Sequence, residues 1–124
     1  MLTAKNNKKI KEIPYITEEN IENINLENSI LLFYRQTCPD CRIVKKDLIN
    51  KFKDREDVYL VDTTTKIGKK LVSEYKIISV PRALLVGNNK DNKNINYKLY
   101  IKKTNSFDEK SADKILKEQK NRKK

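Results

Sequence analysis

Histidine and tryptophan are absent from the chain, and only two cysteines, two glycines and three prolines interrupt it. With no histidine, two cysteines cannot supply a self-contained tetrahedral zinc site, which needs four ligands. No stretch approaches the ~20 apolar residues of a membrane span, and the N-terminal residues lack the apolar core of a signal peptide. The expectation is therefore a soluble, cytoplasmic protein without a membrane span. An exported or membrane-anchored location stays open, because a segment ahead of residue 1 would carry the address.

Positive charge is plentiful, at +11 net, and its position decides its meaning. Residues 1–11 hold four lysines and no acid, and residues 102–124 hold nine lysines and arginines against four acids, so the ends carry nearly all of the excess. Cationic arms bind phosphates in a salt-dependent way, but no nucleic-acid recognition motif accompanies them, so no specific nucleic-acid partner is expected. Although 36% of the residues are charged, the apolar ones fall in blocks, and 124 residues make one domain. The division expected is a basic N-terminal arm over residues 1–11, a folded α/β domain over 12–118 and a basic tail over 119–124.

Residues 13–16 alternate weakly and suit an edge strand, where Pro14 is tolerated. Thr17 before Glu18 and Glu19 predicts a helix start, with Ile21, Ile24 and Leu26 on its apolar face. Residues 29–35 form a near-continuous apolar strand. From Pro39 the period becomes helical, with Cys41, Val44, Leu48 and Phe52 on one face. A strand over residues 58–61 and a helix over residues 66–75, burying Ile67, Leu71, Val72 and Tyr75, complete a β-α-β unit. Residues 83–86 and 95–101 read as a β-hairpin around the turn-rich residues 87–94. Ser106 and Glu109 spell a capping box that opens a last helix, with Phe107, Ala112, Ile115 and Leu116 inward.

Both cysteines sit where the first apolar strand gives way to a helix, in Thr37-Cys38-Pro39-Asp40-Cys41. A disulfide across so short a loop would barely constrain the unfolded chain, so a structural staple is the poorer use. The positive field of a helix N-terminus stabilises a thiolate, and a second thiol within reach allows reversible dithiol–disulfide exchange. Asp40 has two readings. In the first turn of a helix it favours the dipole, and beside Cys38 its carboxylate disfavours the thiolate and makes the pair more reducing. Pro39 suits the first helical turn, where its missing N–H costs nothing.

The element order β-α-β-α-β-β-α, with Phe33-Tyr34 leading into Cys38-Pro39-Asp40-Cys41 and Ser79-Val80-Pro81 some forty residues on, resembles the thioredoxin superfamily. The match is closest to small thioredoxin-like proteins with Cys-Pro-Asp-Cys and to bacterial accessory proteins of that kind, and it covers about residues 12–118. The resemblance implies a central mixed sheet, made of the parallel unit and the C-terminal antiparallel hairpin, flanked by helices. It implies thiol–disulfide oxidoreductase activity on protein disulfides, chiefly as a reductant and with no bound cofactor. Cys38 would be the exposed nucleophile and Cys41 the shielded resolving thiol. Pro81 would be a cis-proline, and Val80, Pro81 and Arg82 would meet the substrate. Pro39 and Asp40 would tune the thiols. Arg35 or Arg82 would favour the thiolate if it reached the site, but each is expected to be solvated. Reducing equivalents would come from a thioredoxin-reductase-like flavoenzyme or a membrane dithiol donor, to a protein that is monomeric.

The chain departs from thioredoxins proper. Thr37 stands where tryptophan is usual, and Leu32 and Val58 stand where a buried acid and its lysine assist the resolving thiol. The glycine pair of the glutaredoxin glutathione site has no counterpart, since the glycines are Gly68 and Gly87. The departures point to narrower work than that of thioredoxin. Two other readings remain: an oxidase, isomerase or export accessory protein for secreted peptides, and a redox-inert binding module that uses its basic tails.

Overall fold

The structure, a computed structural model, describes residues 12–88 and 93–123. The expected basic arm over residues 1–11, the middle of the turn-rich linker and Lys124 lie outside the described residues. The organising strand is β1 (Ile30–Tyr34), whose five residues are all buried. A strand without a polar face has to be covered on both sides. Ile30, Leu32 and Tyr34 point into one apolar cluster, with Val44, Leu48, Phe52, Ala112 and Ile115. Leu31 and Phe33 point into the other, with Ile67, Leu71 and Ile77.

β1 pairs in parallel with β2 (Val58–Asp62) and antiparallel with β3 (Arg82–Leu85), and β3 pairs antiparallel with β4 (Ile95–Lys98). The order β2-β1-β3-β4 gives a mixed four-stranded sheet with one parallel pair. Helix α1 (Pro39–Phe52) joins the parallel strands and buries Cys41, Val44, Leu48 and Phe52, the stripe expected from its period. Helix α2 (Lys66–Tyr75) buries Ile67, Gly68 and Leu71, with Val72 and Tyr75 partly buried beside them. The fold is thus mixed α/β, with three helices among the described residues.

Three local expectations are corrected. The edge strand over residues 13–16 is a single bridge, Tyr15 to Leu60, held by Leu60 N–H to Pro14 O at 2.8 Å and Ile16 N–H to Leu60 O at 2.9 Å. The helix after Thr17 is one 3-10 turn, Ile21–Asn23. The Thr17 and Asn20 side chains there cap each other's backbone N–H groups, which closes a turn without leading into a longer helix. Ser106 does not cap the last helix. Ser106–Phe107 forms the short strand β6 against β5 (Tyr100–Ile101), and Asp108 caps α3 (Glu109–Arg122) by accepting from Ser111 N–H at 3.0 Å. The last helix reaches into the residues expected to form the basic tail. α3 runs through Arg122, and the buried Gln119 amide donates to Asn28 O at 3.0 Å and Asp57 O at 3.1 Å. No helix among the described residues is long and apolar enough to cross a membrane.

Candidate active site

Tyr34 ends the most buried strand of the sheet, and four residues later the chain has turned into α1. Cys38 is the N-cap of that helix, with extended backbone angles (φ −82°, ψ 122°), and Pro39 takes the first helical position. The Cys38 N–H donates to Arg35 O and its carbonyl accepts from Arg42 N–H, both at 3.1 Å, so the turn is closed on both sides. Helix N-termini leave N–H groups unpaired and carry a partial positive charge, and no side chain caps this one. Asp40 falls in the first turn, half-buried, where its charge complements the dipole.

One helical turn separates the two cysteines, which are free thiols 3.3 Å apart. Cys41 faces the core beside Val44 and Leu48 and is 3% exposed. Burial pushes its thiol up to about 12, with the Cys38 side chain adding to the rise and a backbone contact from Arg35 opposing it. It is therefore a protonated thiol at neutral pH. Cys38 was expected to be exposed and is not: 7% of its surface reaches solvent. The segment before β3 lies against it, bringing the Val80 carbonyl oxygen to 3.8 Å from the Cys38 sulfur. Access to that sulfur is through an open cleft of about 340 Å³ lined by Arg35, Cys38, Thr63, Val72 and residues 77–80.

The Val80–Pro81 peptide bond is cis, the isomer expected at this position. Pro81 is buried, and its carbonyl accepts from Leu99 N–H at 3.1 Å, which anchors the segment to the chain beyond β4. Arg82 is not among the residues that line the cleft. Its guanidinium donates to Ser79 O at 3.2 Å, Ser79 Oγ at 2.8 Å and Asn96 Oδ1 at 2.7 Å. Partial burial lowers its pKa from the ordinary arginine value. It braces the segment that carries Val80 and leaves the cleft to Arg35. Leu32 is fully buried and Val58 nearly so, as their apolar character requires.

Thr63, Ile78 and Tyr15 had no motif to announce them. Thr63 lines the Cys38 cleft, and its buried hydroxyl has no hydrogen-bond partner. The signal for it is topological, since parallel β1 and β2 end side by side and the residue after each reaches the same edge of the sheet. Ile78 forms part of the same cleft and is 86% exposed. Below Cys41, the Tyr15 and Tyr34 hydroxyls are hydrogen-bonded at 2.6 Å, and both rings line a small cavity with Cys41. Burial and the Tyr15 hydroxyl push the Tyr34 phenol well above its usual range. Among the described residues no three cysteine, aspartate or glutamate side chains gather as a metal site requires.

Chemically, the arrangement offers a sulfur at an uncapped helix N-terminus, a second thiol within reach of it, and a backbone carbonyl beside the first sulfur. A scan against models of known protein families finds no match to the chain, and a search of curated proteins finds none either.

Proposed function

We propose that the chain is a thiol–disulfide oxidoreductase of thioredoxin-like fold that reduces disulfides in selected protein clients. The observation that carries the reading is the pair of free thiols 3.3 Å apart, with Cys38 at the start of α1 and Cys41 one turn inside it. The mixed sheet, the crossover helix between its parallel strands and the Val80-Pro81 segment beside Cys38 support the fold assignment.

The Cys38 thiolate attacks one sulfur of the client disulfide. That S–S bond breaks, the departing client sulfur leaves as a thiolate, and a Cys38–client mixed disulfide forms. Cys41 then gives up its proton and attacks the Cys38 sulfur, releasing the second client thiolate and closing a Cys38–Cys41 disulfide. Two electrons pass to the client. A dithiol donor, of the flavoenzyme-dependent or membrane kind, returns two electrons to the pair. The reducing direction is favoured by a Cys41 thiol that burial keeps protonated and by the Asp40 carboxylate in the first turn.

The test is dithiol-driven reduction of a model protein disulfide. Wild type turns over, Cys38→Ser loses activity by at least a hundredfold, and Cys41→Ser accumulates a mixed disulfide visible on a non-reducing gel. Full activity in Cys38→Ser, or none in wild type, refutes the reading. The reduction potential decides direction: a value near about −270 mV fits a reductant, and one near about −120 mV fits an oxidase for exported proteins.

A further inference from the structure

A second cleft, of about 360 Å³, adjoins Cys41 and is lined by Tyr34, Arg35, Gln36, Cys41, Arg42 and Lys45. Half of those residues are cations, and none is an acid. All three cations are exposed, and none takes part in an ion pair among the described residues, where the pairs belong to Lys51, Arg122 and Lys123. Arg42 and Lys45 stand three residues apart on α1, so they share a face. Arg35 lines this cleft and the Cys38 cleft alike, so the two are neighbours.

The nearest acids in sequence do not cancel this field. Asp40 lines neither cleft, and Asp47 borders a separate one beside Lys51 and Glu109. Asp62 lines neither cleft; its carboxylate accepts from the Thr64 N–H and hydroxyl at 2.9 and 2.7 Å and keeps a charge that reaches Tyr34, which offsets the three cations only in part. Unpaired cations around an open cleft raise the local concentration of negative partners and speed their encounter. The Cys38 cleft presents sulfur and a backbone carbonyl, and the cleft that shares Arg35 with it presents three positive charges. A chain with acidic residues beside its cysteine matches that order, and an isolated small anion would use only part of it.

We infer that the Arg35–Arg42–Lys45 cleft docks an acidic segment of the client, next to the client cysteine that Cys38 attacks. The inference rests on the proposed exchange reaction for its biological meaning, and binding can be measured without that reaction. The first arm titrates the reduced full chain with a cysteine-free peptide carrying four glutamates and with its lysine counterpart, at 20 and 300 mM salt. The acidic peptide binds, the lysine peptide does not, and the affinity falls with salt. Arg42→Gln/Lys45→Gln weakens binding roughly three- to tenfold, whereas Lys114→Gln/Lys117→Gln, on the exposed face of α3, leaves it unchanged. No binding of the acidic peptide, or equal loss in both double variants, overturns the docking site. The second arm compares reduction of an acid-flanked peptide disulfide with that of the uncharged hydroxyethyl disulfide. Arg42→Gln/Lys45→Gln lowers kcat/KM for the first three- to tenfold and leaves the second alone; an equal effect on both overturns docking. A wild type that binds the acidic peptide and reduces neither disulfide overturns the exchange reaction and leaves the docking site standing.

Discussion

At Gly68 a single atom decides whether α2 can pack. A methyl group there would overlap the Asp62 carbonyl oxygen, which is backbone and cannot swing away, and would stand 2.9 Å from the Thr65 hydroxyl that caps the helix. Gly68→Ala therefore costs about 2–3 kcal/mol in spite of alanine's higher helix propensity, read as a lower urea midpoint with unchanged slope. Cys41 makes a prediction in pH. In the unfolded chain its thiol titrates near about 8.5, and in the folded protein burial raises it to about 12. Above pH 8.5 the unfolded state loses the proton first, so the Cys41 contribution is complete below that pH and disappears as pH climbs toward 12, with a slope of up to about 1.4 kcal/mol per unit. Urea midpoints under reducing conditions at pH 8 and 10 should fall more for wild type than for Cys41→Ala. Equal falls would show that Cys41 is solvated.

At the scale of elements, what could be read in advance follows from where each residue's partner lies in the chain. Cys41, Val44, Leu48 and Phe52 repeat every three or four residues, and any core would select that face, so α1 was legible from its own period. The same holds for Ile67 and Leu71 in α2. Ser106 and Glu109 looked like a cap because the pattern cannot show that Ser106–Phe107 has a strand partner in Tyr100–Ile101. Thr17 looked like a helix start for the same reason, since its hydroxyl does cap N–H groups but the turn ends within one cycle. The thiol pair was legible from spacing alone. The coverage of Cys38 by Val80, and the cations gathered beside Cys41, depend on contacts some forty residues away in sequence or on which neighbours lack acids. One element also carries avoidable cost. Lys76 closes α2 in the left-handed region (φ 55°), which suits glycine better than lysine. Lys76→Gly should raise stability by about 0.5–1 kcal/mol, or roughly 2–4 °C in Tm. A fall instead would mean that the lysine side chain holds α2 in place.

Across the whole molecule, the far end of the chain locks the near end. The Gln119 amide ties α3 to the carbonyls of Asn28 and Asp57, just before β1 and β2, and Lys123 pairs with Asp57. Removing that amide takes a donor from the Asn28 carbonyl and leaves the Asp57 carbonyl with only the Ile30 N–H, so Gln119→Ala should cost about 1–2 kcal/mol and lower Tm by roughly 4–8 °C. A shift within 1 °C would mean that water takes over both bonds. The candidate site, meanwhile, is built from two kinds of material. Cys38 and Cys41 follow directly from β1, a strand buried on both faces and paired on both edges. Val80 belongs to a connecting segment outside the sheet ladder, tied by Arg82, Leu99 and the Cys38 sulfur and by packing of Ile77 and Val80 on the core. Deuterium exchange should separate them: the amides of residues 31–33 exchange only when the entire protein opens, and those of residues 78–80 exchange orders of magnitude sooner. With that outcome, one wall of the site would last as long as the native state does and the other would breathe, and under the proposed exchange reaction a buried sulfur could then meet a bulky client without the molecule unfolding.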